Sequence, residues 1–342
     1  MPSWNIHIAQ TQEVLTRDCS LTRAVRDQNA FLFGNLVPDI RVGYMVPGIA
    51  DPIPYRITHF AKPEPIPKPR EDEFWRTYVA PVLHGLDGSR VVALSIEDER
   101  DRINRIHYPA RYENEPAIKE DPRQVAAANS TAVADVEASC VDLTLGTWAH
   151  LLADNIWNTR VNEYLEAHGG RPSDSFRMKK QSDFDWFGRS RPLHLIPVAS
   201  ARLIEAAARF AQYPIERDLV IATAGVAHET VRVNEGTDQH PPYQLLSDEF
   251  FAQTFAEVVE QTISLFEDPV KHSVKSPESN AGSLNTGKFQ KPFFHFHCCC
   301  PGKSHNKNRG SRYLPFLDHM CCSFYYDGSF PRTGACQNHH RS

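Results

Sequence analysis

Apolar residues recur near the start of the chain at Ile6, Ala9, Val14, Leu15, Leu21 and Val25. That spacing is close to 3.6 residues and predicts a helix from about residue 6 to 26. The next segment, Phe31-Leu-Phe-Gly-Asn-Leu-Val-Pro-Asp39, is apolar almost to its last residue. Pro38 cannot continue a helix interior, which places Asp39 on a turn at the end of a buried segment. Seven prolines lie between Pro47 and Pro69, alternating at Pro63, Pro65, Pro67 and Pro69. An extended connector, polyproline II in part, is expected there. Residues 71–84 predict a short helix, and the charge-rich stretch 94–124 predicts loop with short helix.

The strongest helical signal runs from about residue 126 to 167. Val141, Leu145, Trp148, Leu152 and Ile156 form its stripe, and Gly169-Gly170 supplies a stop. Residues 182–188 read as a turn. Residues 199–212 predict another helix, and residues 220–233 are the one stretch with strand character. A last helix over 248–266 follows Ser247, a good N-cap with acids in the first turn. Beyond about Asp268 the periodicity disappears and cysteine runs occur at Cys298-Cys299-Cys300 and Cys321-Cys322. The expected organisation is a mainly α, multi-helix domain over residues 1–267, then a low-complexity, Cys/His-rich basic tail over 268–342, read as disordered. A second zinc site in that tail, from His295, His297 and the cysteines, is the competing reading, but no C-x-x-C spacing supports it.

Charge sharpens this division. The 342 residues carry a net charge of −5. From Asp268 onward there are ten Lys/Arg and four Asp/Glu, which leaves 27 against 38 in the first 267 residues. An acidic body of net −11 is a poor electrostatic partner for nucleic acid. Only Cys19 and Cys140 lie in the body, which fits a reducing compartment. The first fifteen residues lack a basic, then apolar, leader pattern, and no run approaches the roughly 18 apolar residues of a membrane span. Cytoplasmic residence is the resulting expectation.

The chemistry centres on His150-Leu-Leu-Ala-Asp154. Residues four apart share a helical face, so this imidazole and carboxylate can grip one metal ion, or the carboxylate can bridge two. His7 sits among apolar neighbours on the first predicted helix, Asp39 follows a proline, and His59 lies in the proline-rich connector. Each alone is more often a capped turn or a satisfied histidine.

Together and in this order, His7, the Gly34-Asn-Leu-Val-Pro-Asp39 segment, His59-Phe60 and Trp148-Ala-His150-Leu-Leu-Ala-Asp154 resemble the zinc-dependent phospholipase C family. The resemblance covers roughly residues 1–190. It implies the multi-helix phospholipase C/P1 nuclease type of fold, with long proline-rich loops. It implies that Asp39, His59, His150 and Asp154 hold one Zn2+, and that His7 and Asp154 help hold a second. Better-known members carry a further histidine soon after the H-x-x-x-D pair and then an H-x-x-x-E. Here Asn158 and Thr159 stand in that vicinity, and His194 is followed four residues on by Val198, which argues against three ions. A second ion would need another ligand, for which Asp185, or its neighbour Asp183, is the candidate.

The function this implies is hydrolysis of a phosphodiester or phosphomonoester with a zinc-activated water. Asp39 or Asp154 would take the proton, and the substrate would be a small phosphorylated molecule or a phospholipid head group. Two alternatives compete. One is a non-catalytic helical protein with a structural or degenerate zinc site. The other is a single-strand nuclease, which the acidic body disfavours.

Overall fold

The computed structural model describes residues 2–43, 45–46, 48–62, 68–83, 91–95, 133–168, 172–234 and 242–274. Helices dominate it. They are α1 (Trp4–Thr16), α2 (Ser20–Ala24), α3 (Gln28–Gly34), α4 (Val37–Ile40), α5 (Tyr55–Thr58) and α6 (Glu71–Phe74), which continues as a π turn over Trp75–Val79. The long α7 (Val133–Ala167) follows, then α8 (Asp174–Ser190), α9 (Ala201–Ala208), α10 (Arg217–Val233) and α11 (Asp248–Val274). The described strands are two-residue pieces. β1 (Ala61–Lys62) pairs antiparallel with β2 (Lys68–Pro69), and β3 (Leu94–Ser95) pairs with β4 (Leu195–Ile196).

The central element is α7, against which α3, α9 and α11 pack. The first helix, α1, packs on α8, α10 and α11. The core between them includes Ile6, Phe31, Phe33, Leu151, Trp157, Phe184 and Phe251, all buried. Two glycines let α3 and α7 approach unusually closely. A Cβ on Gly34 would lie 2.1 Å from the Leu143 carbonyl oxygen, and one on Gly146 would lie 2.1 Å from the Phe31 carbonyl oxygen. No side chain fits at either position, so the backbones of the two helices are in direct contact. The Thr147 hydroxyl lies 3.2 Å from the Gly34 carbonyl across the same crossing.

Several sequence expectations change. The predicted first helix breaks after Thr16. There the Thr22 hydroxyl reaches the Arg17 and Cys19 carbonyls at 2.7 and 3.0 Å, and the Cys19 N–H donates back to it. Such side-chain bonds offer the backbone an alternative to the helix ladder. Residues 220–233 lie on helix α10, not on a strand; Val220, Ala224, Ala227 and Val231 are buried at helical spacing. The turn expected at 182–188 is the interior of α8, whose start is capped by the Ser173 hydroxyl accepting from the Phe176 N–H. The proline-rich connector contains the helical turn α5 and the β1–β2 pair. The final helix passes the expected boundary at 267 and ends at Val274. Residues 96–132, most of the charge-rich stretch, and the tail from 275 onward lie outside the described residues.

Candidate metal centre

The close crossing of α3 and α7 builds one wall of the site. It sets the backbone carbonyl of Asn35, the C-cap of α3, 2.8 Å from His150 Nδ1. A carbonyl can only accept, so Nδ1 carries the hydrogen and Nε2 presents a bare lone pair. Asp154, one turn further along α7, is fully buried beside it. Asp39 arrives on α4, where Pro38 occupies an N-terminal position that suits its missing N–H.

His59 closes α5 as its C-cap. The next residue, Phe60, has φ +53°, an uncommon conformation for a bulky residue. Arg70 clamps this turn. Its Nε–H and backbone N–H both donate to the Phe60 carbonyl, and its guanidinium lies 4.7 Å from the centre of the Phe60 ring. Strain held in place by neighbours is a recurring mark of functional sites. The Thr58 hydroxyl points at the Tyr55 carbonyl at 3.3 Å, so its oxygen accepts from His59 Nδ1 at 2.9 Å. His59 Nε2 is then bare as well.

Those two bare nitrogens, His59 Nε2 and His150 Nε2, face each other at 3.3 Å. His59 Nε2 also lies 3.3 Å from Asp39 Oδ1 and 3.6 Å from Asp154 Oδ2. His7, buried on α1, stacks flat on the His150 ring with centroids 3.9 Å apart. Its Nε2 is 3.5 Å from Asp154 Oδ1, too long for a good hydrogen bond. Both ring nitrogens of His7 and Asp154 Oδ1 are buried without a hydrogen-bond partner among the described residues. Two ligand triplets result, His7–His150–Asp154 and Asp39–His59–His150, each with its donor atoms within 4.8 Å of one another. His150 belongs to both.

The electrostatics fit a cation. Burial, followed by the presence of His7, pushes His150 down to about 3, so it is neutral near pH 7. Burial works against the charge on Asp39 and Asp154, but in acid, where the surrounding histidines take up protons, those histidines outweigh it and hold both carboxylates below the usual range. Two anions thus share a dry pocket, which is costly unless they are bound to a cation. Unpartnered imidazole and carboxylate atoms within one such pocket are the donor set a divalent ion of the zinc type takes.

The structure therefore brings together His7, Asp39, His59, His150 and Asp154. It does not bring in Asp185, which lies on α8 with its carboxylate accepting from Gln181 Nε2 at 3.0 Å. Its neighbour Asp183 is structural, accepting from the backbone N–H groups of Gln244, Leu245 and Leu246 at 2.7–2.8 Å. Sequence reasoning missed four supporting groups. Trp4 Nε1–H donates to Asp39 Oδ2 and the Tyr55 hydroxyl donates to Asp154 Oδ2, both at 3.1 Å. The Asn35 carbonyl and Gly146 complete the set. Trp4, three residues before His7, and Gly146, four before His150, were detectable as same-face neighbours.

The fold and the site define a mainly helical protein with a buried His/Asp cluster whose geometry could hold a metal ion. No family model, curated protein or solved structure matches this chain in comparisons with known proteins. Among the described residues no helix is long and apolar enough to cross a membrane.

Proposed function

We propose that this chain is a metal-dependent hydrolase of phosphate esters, similar in its centre to the zinc-dependent phospholipases C. The observation that carries the reading is the convergence of five side chains, spread from residue 7 to residue 154, on one cluster with unpartnered donor atoms. His7, Asp39, His59, His150 and Asp154 would hold one or two zinc ions, which supply Lewis-acid activation of water and neutralise phosphate charge. The chain's own groups do the rest. Asp39 is the most exposed carboxylate of the cluster, with a side chain 8% exposed. Trp4 occupies its Oδ2, so Oδ1 is the atom placed to take a proton from water. Tyr55 and the Asn35 carbonyl hold Asp154 and His150 in position. The substrate is a small phosphorylated molecule or a lipid head group, and the acidic body disfavours nucleic acid.

The depth of the cluster favours a second reading. His59, His150 and Asp154 are 0% exposed, as befits a structural ion closed by four protein ligands. Elemental analysis of the purified protein, paired with a panel of phosphomonoesters, phosphodiesters and phospholipids, separates the two. Bound zinc with turnover supports the hydrolase, and full zinc occupancy without turnover supports the structural ion. His150→Ala and Asp154→Ala should each lose zinc; wild-type metal content in both variants would remove this cluster from consideration.

A further inference from the structure

Behind the metal centre lies a small cavity whose lining includes Gln10, Asn35, Ala149, Ala153 and Thr262. Its neighbours are the ligands themselves. Ala149 and Ala153 each precede a ligand on α7, His150 and Asp154. Gln10 lies three residues beyond His7 on α1. Asn35 supplies the carbonyl that orients His150. Both side-chain amide atoms of Gln10 and Oδ1 of Asn35 are buried without a hydrogen-bond partner among the described residues. Each of the two residues is only 4% exposed.

Buried amide atoms are rarely left unpaired, because desolvation without a replacement bond is unfavourable. Among the described residues no charged side chain lines the cavity, so a neutral occupant fits better than an ion. The cavity has about 10 Å3 available to the centre of a water molecule, close to what a single water needs. The threonine hydroxyls in the wall are already committed. Thr11 bonds the His7 carbonyl at 2.9 Å and Thr262 the Val258 carbonyl at 2.7 Å. Their oxygens remain able to accept.

We propose that Gln10 and Asn35 hold one ordered internal water, and that this bridged pair positions the metal ligands on either side of it. The water donates to Asn35 Oδ1, and the Gln10 amide turns its oxygen or its N–H2 toward it. The bridge fastens α1, which carries His7, to the segment that fixes His150. Among the described residues the His7 ring has no hydrogen-bond partner of its own to hold it. Gln10 and Asn35 are then positioning residues, and that half of the proposal rests on the metal-centre reading.

The test compares the full chain with Gln10→Met, which keeps length and removes both amide atoms. Oxygen-17 magnetic relaxation dispersion of the metal-free proteins counts long-lived internal waters. The variant should show one fewer at unchanged helix content by circular dichroism. Zinc affinity, read by competition with a chelator, should fall about 10–100-fold, the usual scale for outer-shell groups. Asn35→Ala keeps the backbone carbonyl that His150 needs, and should weaken zinc similarly; it also serves if Gln10→Met does not fold. Identical dispersion in a folded variant would overturn the water. Loss of the water with unchanged zinc affinity in both variants would overturn the positioning role. A wild type that takes up no zinc would defeat the metal-centre reading and with it that role, while the dispersion difference would still decide the water.

Discussion

His150 is useful because its two nitrogens face opposite environments. Nδ1 is bound to the Asn35 carbonyl and Nε2 points at His59 and Asp154. The same division of labour marks Asp39, whose Oδ2 is held by Trp4 while Oδ1 faces His59. Asp39→Asn therefore keeps the shape and one oxygen ligand but removes the charge. On the proposed hydrolase reading, this variant should retain part of its metal and lose phosphoesterase activity by roughly 100-fold or more, the scale of a lost general base. Without metal it should melt higher than the wild type, because one fewer buried charge is left uncompensated. Differential scanning calorimetry and a steady-state assay on the same preparations check both halves; full activity would exclude Asp39 from the chemistry. Of the five clustered residues, His150 and Asp154 were legible from their i, i+4 spacing, while His7, Asp39 and His59 were singled out only by the resemblance of the whole series to a known family. Tyr55 and Asn35 were not, since nothing local distinguishes a second-layer tyrosine or a backbone carbonyl from any other.

Among the elements, α7 and α11 were legible because long apolar stripes dominate them. Val220–Val233 was misread because its valines, isoleucine and threonines suit a strand locally, whereas burial at helical spacing decided the outcome. The missed α8 presents mostly polar residues, among them Arg177, Lys179 and Gln181, which leave it little apolar periodicity to read. The site depends on the α3–α7 crossing, where neither Gly34 nor Gly146 leaves room for a side chain. Gly146→Ala would drive a methyl into the Phe31 carbonyl, for which overpacking costs of about 1–3 kcal/mol are typical. Separation of the helices would also draw the Asn35 carbonyl away from His150. The variant should lose stability in urea and weaken zinc together. Unchanged zinc affinity in a destabilised Gly146→Ala would show that the crossing supports the fold but not the site.

The molecule also carries a buried polar network around Asp27 and Asp142. Asp27 caps α3 through the Ala30 N–H, accepts from the Ser139 hydroxyl at 2.6 Å and lies 3.2 Å from Arg202 Nε. Asp142 accepts from the backbone N–H groups of Arg26 and Asp27 at 2.9 and 2.6 Å. Burial, helped by the Asp27 charge, raises Asp142 to about 8 from an ordinary value near 3.8. A folded value above the unfolded one means that the contribution of Asp142 to stability is full below pH 3.8 and is lost as pH climbs toward 8. Asp142→Asn keeps an acceptor for both N–H groups and removes the titration. Thermal melting across pH 4–9 should show the wild type falling relative to Asp142→Asn between about pH 4 and 8; parallel curves would show that Asp142 is ionised throughout.

The packing of α1 bears on the order in which a growing chain can complete its centre. His7 is the first ligand to be made, yet its helix is held chiefly by α8, α10 and α11, the last of which ends at Val274. Asp39, His59 and His150 are carried by α4, the C-cap of α5 and α7, so their half of the cluster, apart from the Trp4 bond to Asp39, can assemble while the chain is still being synthesised. The His7–His150–Asp154 half must wait until the carboxy-terminal helices have emerged and docked. On the ribosome, the proposed metal site would thus stay incomplete until α11 had emerged.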